Sequence, residues 1–279
     1  MRAGDADREP ANHQEPLPMT LPHWRVVAAS VRGTSHEKTG QPCQDAHCWD
    51  ILSDDVLAVA VADGAGSAAL GEVGATIAAQ TSIDTLRRQA AMPPWPASDA
   101  DWRLLLTETL KAAQAAVIAE AQVRAVPTRD LATTLILLIA TPVLVAAAQV
   151  GDGAAVLGDG CSDIIALTTP QSGEYLNETT FLTSPDALDT AQINVWHGVP
   201  AYVAAFSDGL QMLALQMPEG TPHAPFFAPL FQFVARMSDA AAAQEQLTAF
   251  LHSPRLRARV DDDVTLLIAA RYPNSSGRM

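Results

Sequence analysis

The sequence predicts an α+β protein in which two antiparallel β-sheets pack face to face with helices on the outside. Three observations carry this. Strand-like apolar runs come in clusters, separated by blocks of helix, and not in the one-by-one alternation of a doubly wound parallel sheet. The uncharged stretch from Leu131 to Val150 is interrupted by Thr141-Pro142 and closed by Gly151-Asp152-Gly153, which reads as two buried antiparallel strands joined by a tight turn. The chain has 279 residues, 48% of them hydrophobic, enough to bury a sizeable core.

The elements follow in order. Trp24 to Val31 is a short apolar run, and Gly33 to Asp45 reads as a polar loop. Ala46 to Leu52 and Val56 to Ala62 form a predicted hairpin, and the second run stops at Asp63-Gly64, a turn signal. An Ala-rich helix is expected from Gly71 to about Ala91, with Glu72 in the first turn suiting the helix dipole. Pro93, Pro94 and Pro96 break it. A second helix starts near Asp99 or Asp101; Trp102, Leu106, Leu110, Ala113 and Val117 recur at helical spacing, and Pro127 marks its exit. Ala154 to Leu157 and Ile164 to Leu167 are expected to extend the sheet begun in 131–150. Ile193 to Trp196 and Ala201 to Phe206 are further strands. Residues 225–251 read as helical and Val264 to Ala270 as the last strand. Residues 1–22 read as a disordered polar leader, 23–272 as one domain and 273–279 as a frayed tail. Trp24, Trp102 and Trp196 are expected in the core.

The bulk chemistry excludes several classes. A net charge of −14, from 31 acidic and 17 basic residues, argues against a nucleic-acid partner, which asks for a basic stripe. The polar leader has no apolar segment of the signal-peptide kind, and the split in 131–150 argues against a membrane span. The three cysteines make no disulfide framework and point to a cytoplasmic setting. Cys43 and Cys48 lack two further ligands at zinc spacing.

Four acidic motifs lie where strands should end: Gln44-Asp45, Asp63-Gly64-Ala65-Gly66-Ser67, Ser207-Asp208-Gly209 and Asp261-Asp262-Asp263-Val264-Thr265. Any one of them alone reads as a turn. Carboxylates gathered from several strand ends suit hard cations such as Mg²⁺ or Mn²⁺. A pair of such cations clamps the attacking and leaving oxygens of a phosphoryl displacement.

These motifs, together with Gly40-Gln41-Pro42-Cys43-Gln44-Asp45, Thr133-Thr134 and Val150-Gly151-Asp152, resemble those of the type 2C, or PPM, metal-dependent serine/threonine phosphatases. The Ser35-His36 opening and Gly173 to Thr179 are similar to a bacterial branch of that family. The resemblance implies a four-layer αββα sandwich with two divalent cations, Mn²⁺ or Mg²⁺, at one end of the sheets. Asp63 would bridge both cations. Asp45 and the Gly64 carbonyl would help hold one, partly through water. Asp208 and Asp262 would hold the other. A metal-activated water would then attack phosphoserine or phosphothreonine in line. The segment 177–179 would form the flap that meets the substrate, itself a phosphoprotein such as a serine/threonine kinase or that kinase's target.

The sequence departs from the family at two positions. Ala65 stands where animal members carry a histidine, and Gly40 where they carry a phosphate-binding arginine. Arg32 and His36 lie in the right loop to supply a donor, His36 with a catalytic or phosphate-binding role, although an isolated loop histidine also reads as a solvated residue. Asp152 matches an aspartate that binds a third metal in some members, but Met212 replaces its usual partner. Thr133-Thr134 reads as plain strand. Gly40 and Ala65 also motivate a different reading, a catalytically weak module of the same fold that binds a phosphorylated partner or kinase.

Overall fold

A computed structural model of the chain describes residues 24–52, 55–160, 163–171 and 179–272. The leader, the tail, Cys161 and most of the flap segment lie outside the described residues.

The elements run β1 Trp24–Val31, α1 Thr34–Thr39, β2 Asp45–Leu52, β3 Val56–Asp63, α2 Gly71–Ala90, α3 Asp99–Arg124, β4 Leu135–Ala140 and β5 Leu144–Val150. There follow β6 Ala154–Gly158, β7 Ile164–Ala166, α4 Ala187–Thr190, β8 Gln192–His197, β9 Tyr202–Phe206, α5 Gln211–Ala214 and the short pair β10 Leu215–Gln216 and β11 Thr221–Pro222. The chain ends with α6 Ala224–Arg236, α7 Ala240–Leu251, α8 Pro254–Arg257 and β12 Val264–Arg271.

One antiparallel sheet has the order β1-β12-β9-β6-β7 and the other β2-β3-β4-β5-β8. Side-chain alternation explains how they stack. In β3, Leu57, Val59 and Val61 point between the sheets, while Val56, Ala58, Ala60 and Ala62 point at α2 and α3. Both faces of the strand are buried, so its sequence is a continuous apolar run. The first sheet repeats the arrangement with Val27, Phe206, Leu266 and Ile268 against α6 and α7. The result is the expected αββα sandwich. No helix among the described residues is long and apolar enough to cross a membrane.

Three sequence expectations change. β6 and β7 do not extend the sheet of β4 and β5; β6 pairs with β9, Ala154 opposite Phe206. The turn at Gly151, whose φ of 111° suits glycine, carries the chain across to the other sheet. The helical stretch 225–251 is two helices, because Met237 is extended and Asp239 caps α7 by accepting from the Ala241 and Ala242 amides at 2.9 and 3.2 Å. The loop between Gly33 and Asp45 contains the short helix α1, stopped by Gly40 at φ 73°.

Candidate active site

β2 begins where β3 ends, so Asp45 and Asp63 face each other as a cross-strand pair. Like charges at such a pair are unfavourable, and the backbone is held firmly to keep them there. The Asp63 carbonyl accepts from the Thr134 amide at 2.8 Å and from Thr133 Oγ1 at 2.9 Å. The Asp63 amide donates to Thr134 Oγ1 at 3.1 Å. Thr133 and Thr134, read from sequence as plain strand, precede β4 and clamp the central aspartate. Gly64 is required by close approach: a Cβ there would lie 2.5 Å from the Gly71 carbonyl carbon at the start of α2. The Gln44 side-chain amide, with its nitrogen turned toward the loop, donates to the carbonyls of Gly64 at 3.3 Å and Ala65 at 3.1 Å. A carbonyl has two lone pairs, so Gly64 keeps one for a cation.

The other sheet supplies the facing carboxylates. β9 leads through buried Ser207 into Asp208, and a Cβ on Gly209 would lie 2.2 Å from the Asp263 carbonyl oxygen. Ser207 ties the two sheets together. Its hydroxyl donates to Asp45 Oδ2 at 2.7 Å and accepts from the Thr265 amide at 2.9 Å. The Thr265 hydroxyl bonds Ser30 at 2.6 Å, and Ser30 bonds His47 Nδ1 at 2.9 Å. This partly buried polar chain is not legible in the sequence, because its members come from β1, β2 and β12 and from the residue after β9.

Asp262 and Asp263 divide their labour. Asp263 is 2% exposed. It accepts from the Gly33 amide at 2.7 Å, the Gln44 amide at 2.6 Å and His36 Nδ1 at 2.8 Å. Those bonds fix the entry loop to β2 and leave Asp263 little capacity for a cation. Asp262 is exposed and accepts only the Asp263 amide, at 2.8 Å, among the described residues. Of Asp262 and Asp263, Asp262 therefore keeps its carboxylate available.

The electrostatics are those of a cation site. Burial pushes Asp45 up to about 7 and Asp208 up to about 6, each further raised by neighbouring aspartates. Asp63 is pushed well above the usual carboxylate range by burial, then by Asp45, Asp208 and Asp262. The charges that act most strongly on all three are other carboxylates. Asp45 Oδ1 and Asp208 Oδ1 are buried without a hydrogen-bond partner among the described residues. Buried polar atoms are normally satisfied, so these two oxygens and their mutual repulsion fit divalent cations well.

Of the remaining candidates, His36 is brought in and Arg32 is not. His36 is 7% exposed and not the solvated residue that loop position suggested. Its ring nitrogen and oxygens of Asp262 and Asp263 lie within 4.8 Å of one another. Arg32 is exposed and donates to the Gln41 carbonyl at 3.2 Å, with no ion pair among the described residues. Asp152 stands near Asp208, whose leading neighbouring charge it is, and its Oδ2 accepts from Thr179 Oγ1 at 2.6 Å. Ala65 is buried in a small cluster with Ala68 and Ala132.

Residues 32–252 match the family described as Protein phosphatase 2C. The chain is 38% identical over 257 residues to Serine/threonine-protein phosphatase 3 of Escherichia coli (strain K12), covering 88% of this chain and 98% of that one. Among solved structures, Serine/threonine phosphatase Stp1 of Staphylococcus aureus superposes with a TM-score of 0.59 at 16% identity, covering 94% of this chain and all but 1% of that one (99%). The catalytic domain of the phosphatase PstP, in complex with two manganese ions, superposes with a TM-score of 0.58 at 17% identity, covering 91% of this chain and 100% of that one. With a matching fold, a family match across most of its length and a close full-length relative, the chain belongs to the protein phosphatase 2C family.

Proposed function

We propose that the protein is a metal-dependent phosphoprotein phosphatase that hydrolyses phosphoserine and phosphothreonine. The carrying observation is the convergence of Asp45, Asp63, Asp208 and Asp262 from both sheets, with two buried oxygens that have no hydrogen-bond partner among the described residues. The relative from Escherichia coli and the manganese-bound neighbour support the reaction and the cofactor. Asp63 would lie between two cations, Mn²⁺ or Mg²⁺; Asp45 and the Gly64 carbonyl would face one, Asp208 and Asp262 the other. Asp152, beside Asp208, is the residue available to a third.

When bound, the cations lower the pKa of water and neutralise charge developing on the phosphoryl group. The chain's own part is positional. Ser207 holds Asp45 in one orientation, and the two threonines hold Asp63. Asp263 accepts a hydrogen bond from His36 Nδ1–H and so directs Nε2 away from itself. A protonated His36 can then donate from Nε2 to a phosphate oxygen or to the departing serine or threonine oxygen. This supplies in a different place what Ala65 and Gly40 cannot. Gly40 could not carry an arginine without strain, since its φ is 73°.

The natural partner in this reading is a serine/threonine kinase or that kinase's target, met in the cytoplasm; the free thiols of Cys43 and Cys48 are consistent with a reducing compartment. The test is phosphate release from a phosphothreonine peptide with Mn²⁺, with and without EDTA, using Asp63→Asn as control. Metal-independent release, or release unchanged in the variant, overturns the reading.

A further inference from the structure

An apolar groove of about 610 Å³ opens between α5, the β10–β11 pair, α6 and α8. It begins at Met212, one helical turn after Asp208. Its apolar lining includes Leu213, Leu215, Phe226, Leu230 and Leu256. Helix α6 explains why it is apolar. Phe227, Phe231 and Val234 bury one face of that helix against the sheet. Phe226 and Leu230, four residues apart, form a second apolar stripe that turns to the groove. Met212, at the groove's edge, is 74% exposed.

The charge at the rim is unusual for this chain. Arg255 and Arg259 line the groove and are exposed, and their side chains make no ion pair or hydrogen bond among the described residues. Their neighbour Arg257 is engaged, pairing with Glu37 and holding α8 beside α1. In a protein of net charge −14, two free guanidinium groups beside an apolar floor are a local inversion of sign. Apolar walls hold a bulky side chain, and the arginines favour carboxylates next to it.

We infer that this groove docks a linear acidic segment carrying one or two bulky apolar side chains, and that the segment belongs to the phosphoprotein substrate. The inference rests on the phosphatase reading and deepens it. The groove is concave and sized for a few side chains, which suits a single segment better than the flat self-complementary patch of a two-fold dimer. Docking within a helical turn of Asp208 raises the effective concentration of a phosphate elsewhere on the same polypeptide. It therefore acts on KM for the tethered substrate and leaves small esters untouched.

The test uses the full-length protein and three probes. The first is p-nitrophenyl phosphate. The second is a phosphothreonine peptide with neutral flanks. The third is that peptide extended by a segment of Asp and Glu interspersed with Leu and Phe. The groove variant is Arg255→Glu with Arg259→Glu; a control of equal charge change is Arg88→Glu with Lys111→Glu on the outer helices. The extended peptide should show a KM lower by on the order of tenfold than the unextended one. The groove variant should abolish that advantage, the control should keep it, and turnover of p-nitrophenyl phosphate should be the same in all. An advantage that is absent, or that survives in the groove variant, overturns the inference.

Fluorescence anisotropy of the labelled extension without phosphate separates this inference from the phosphatase reading. Groove-dependent binding by a protein that releases no phosphate would sink only the latter. Binding that appears only after residues 1–23 are removed would assign the groove to the chain's own N-terminal segment. A dimer in solution that Met212→Glu dissociates would assign it to a second copy. Either result replaces the substrate as occupant.

Discussion

Replacing Ser207 by alanine removes one hydroxyl and disturbs two sheets at once. The hydroxyl donates to Asp45 Oδ2 at 2.7 Å and accepts from the Thr265 amide at 2.9 Å, both buried. Losing it strips a buried carboxylate of its strongest hydrogen bond and leaves the amide without this acceptor. Each such loss costs about 1–3 kcal/mol. Outer partners of metal ligands are worth about 10–100-fold in affinity, and roughly 1.4–2.8 kcal/mol is the same quantity as free energy. Ser207 is also the largest influence that lowers the Asp45 pKa, against burial that raises it to about 7. Without it the carboxyl holds its proton to higher pH, and the proton competes with the cation. Mn²⁺ affinity of Ser207→Ala, measured by titration calorimetry, should fall by about 10–100-fold near neutral pH and recover in part as pH rises. A far-ultraviolet spectrum and a melting curve report whether the sandwich persists. A folded variant that binds Mn²⁺ within about twofold of the parent would refute the reasoning, since a positioning bond of this kind cannot be worth so little.

Asp262→Asn and Asp263→Asn should separate chemistry from architecture: the exposed Asp262 variant should keep its melting temperature and lose turnover, while the Asp263 variant should lose on the order of 2 kcal/mol or more of stability in denaturant melts. For the metal-free protein the sign follows from raised carboxyl groups. Asp45, Asp63 and Asp208 bind protons in the folded state that the unfolded chain releases near pH 4, so stability is greatest below that range and is lost as pH rises through about 6 to 7. Melts in EDTA should accordingly be higher at mildly acidic pH than at alkaline pH, with Mn²⁺ closing the gap at alkaline pH; the opposite order contradicts the site's charge balance. Gly209→Ala should destabilise by about 1–3 kcal/mol or abolish folding, because its Cβ would meet the Asp263 carbonyl oxygen at 2.2 Å, whereas Gly66→Ala, with nothing within 4 Å, should stay within about 0.5 kcal/mol in the same thermal melts.

What could be read from the sequence follows from which signals are local. The apolar runs at 56–62 and 131–150, the latter split by Thr141-Pro142, announced strands, and the clustering of runs announced two sheets. Sheet membership did not follow, because β6 sits next to β5 in the chain and only the turn at Gly151 sends it to the other sheet. The break in 225–251 is masked in the sequence, because Ser238-Asp239 is a capping signal inside a stretch whose apolar periodicity runs on. At the site, the aspartates were legible because turn chemistry and strand ends mark them. Their supports were not. Thr133, Thr134 and Ser207 are ordinary strand-end residues in sequence, and their roles exist only once the two sheets are stacked. The division between Asp262 and Asp263 likewise depends on which of them meets α1, a contact made across more than two hundred residues of chain, as the 2.8 Å bond from His36 to Asp263 shows.

The most direct test is the metal stoichiometry of the folded protein and its dependence on Asp63. Calorimetry or elemental analysis of the Mn²⁺-loaded protein should give two cations per chain, and Asp63→Asn, which on the proposed reading alters the residue shared by both, should lose tight binding of the pair and with it phosphate release from a phosphothreonine peptide. A parent protein that releases phosphate while holding no divalent cation, or an Asp63→Asn variant that keeps both the cations and the turnover, would contradict the account.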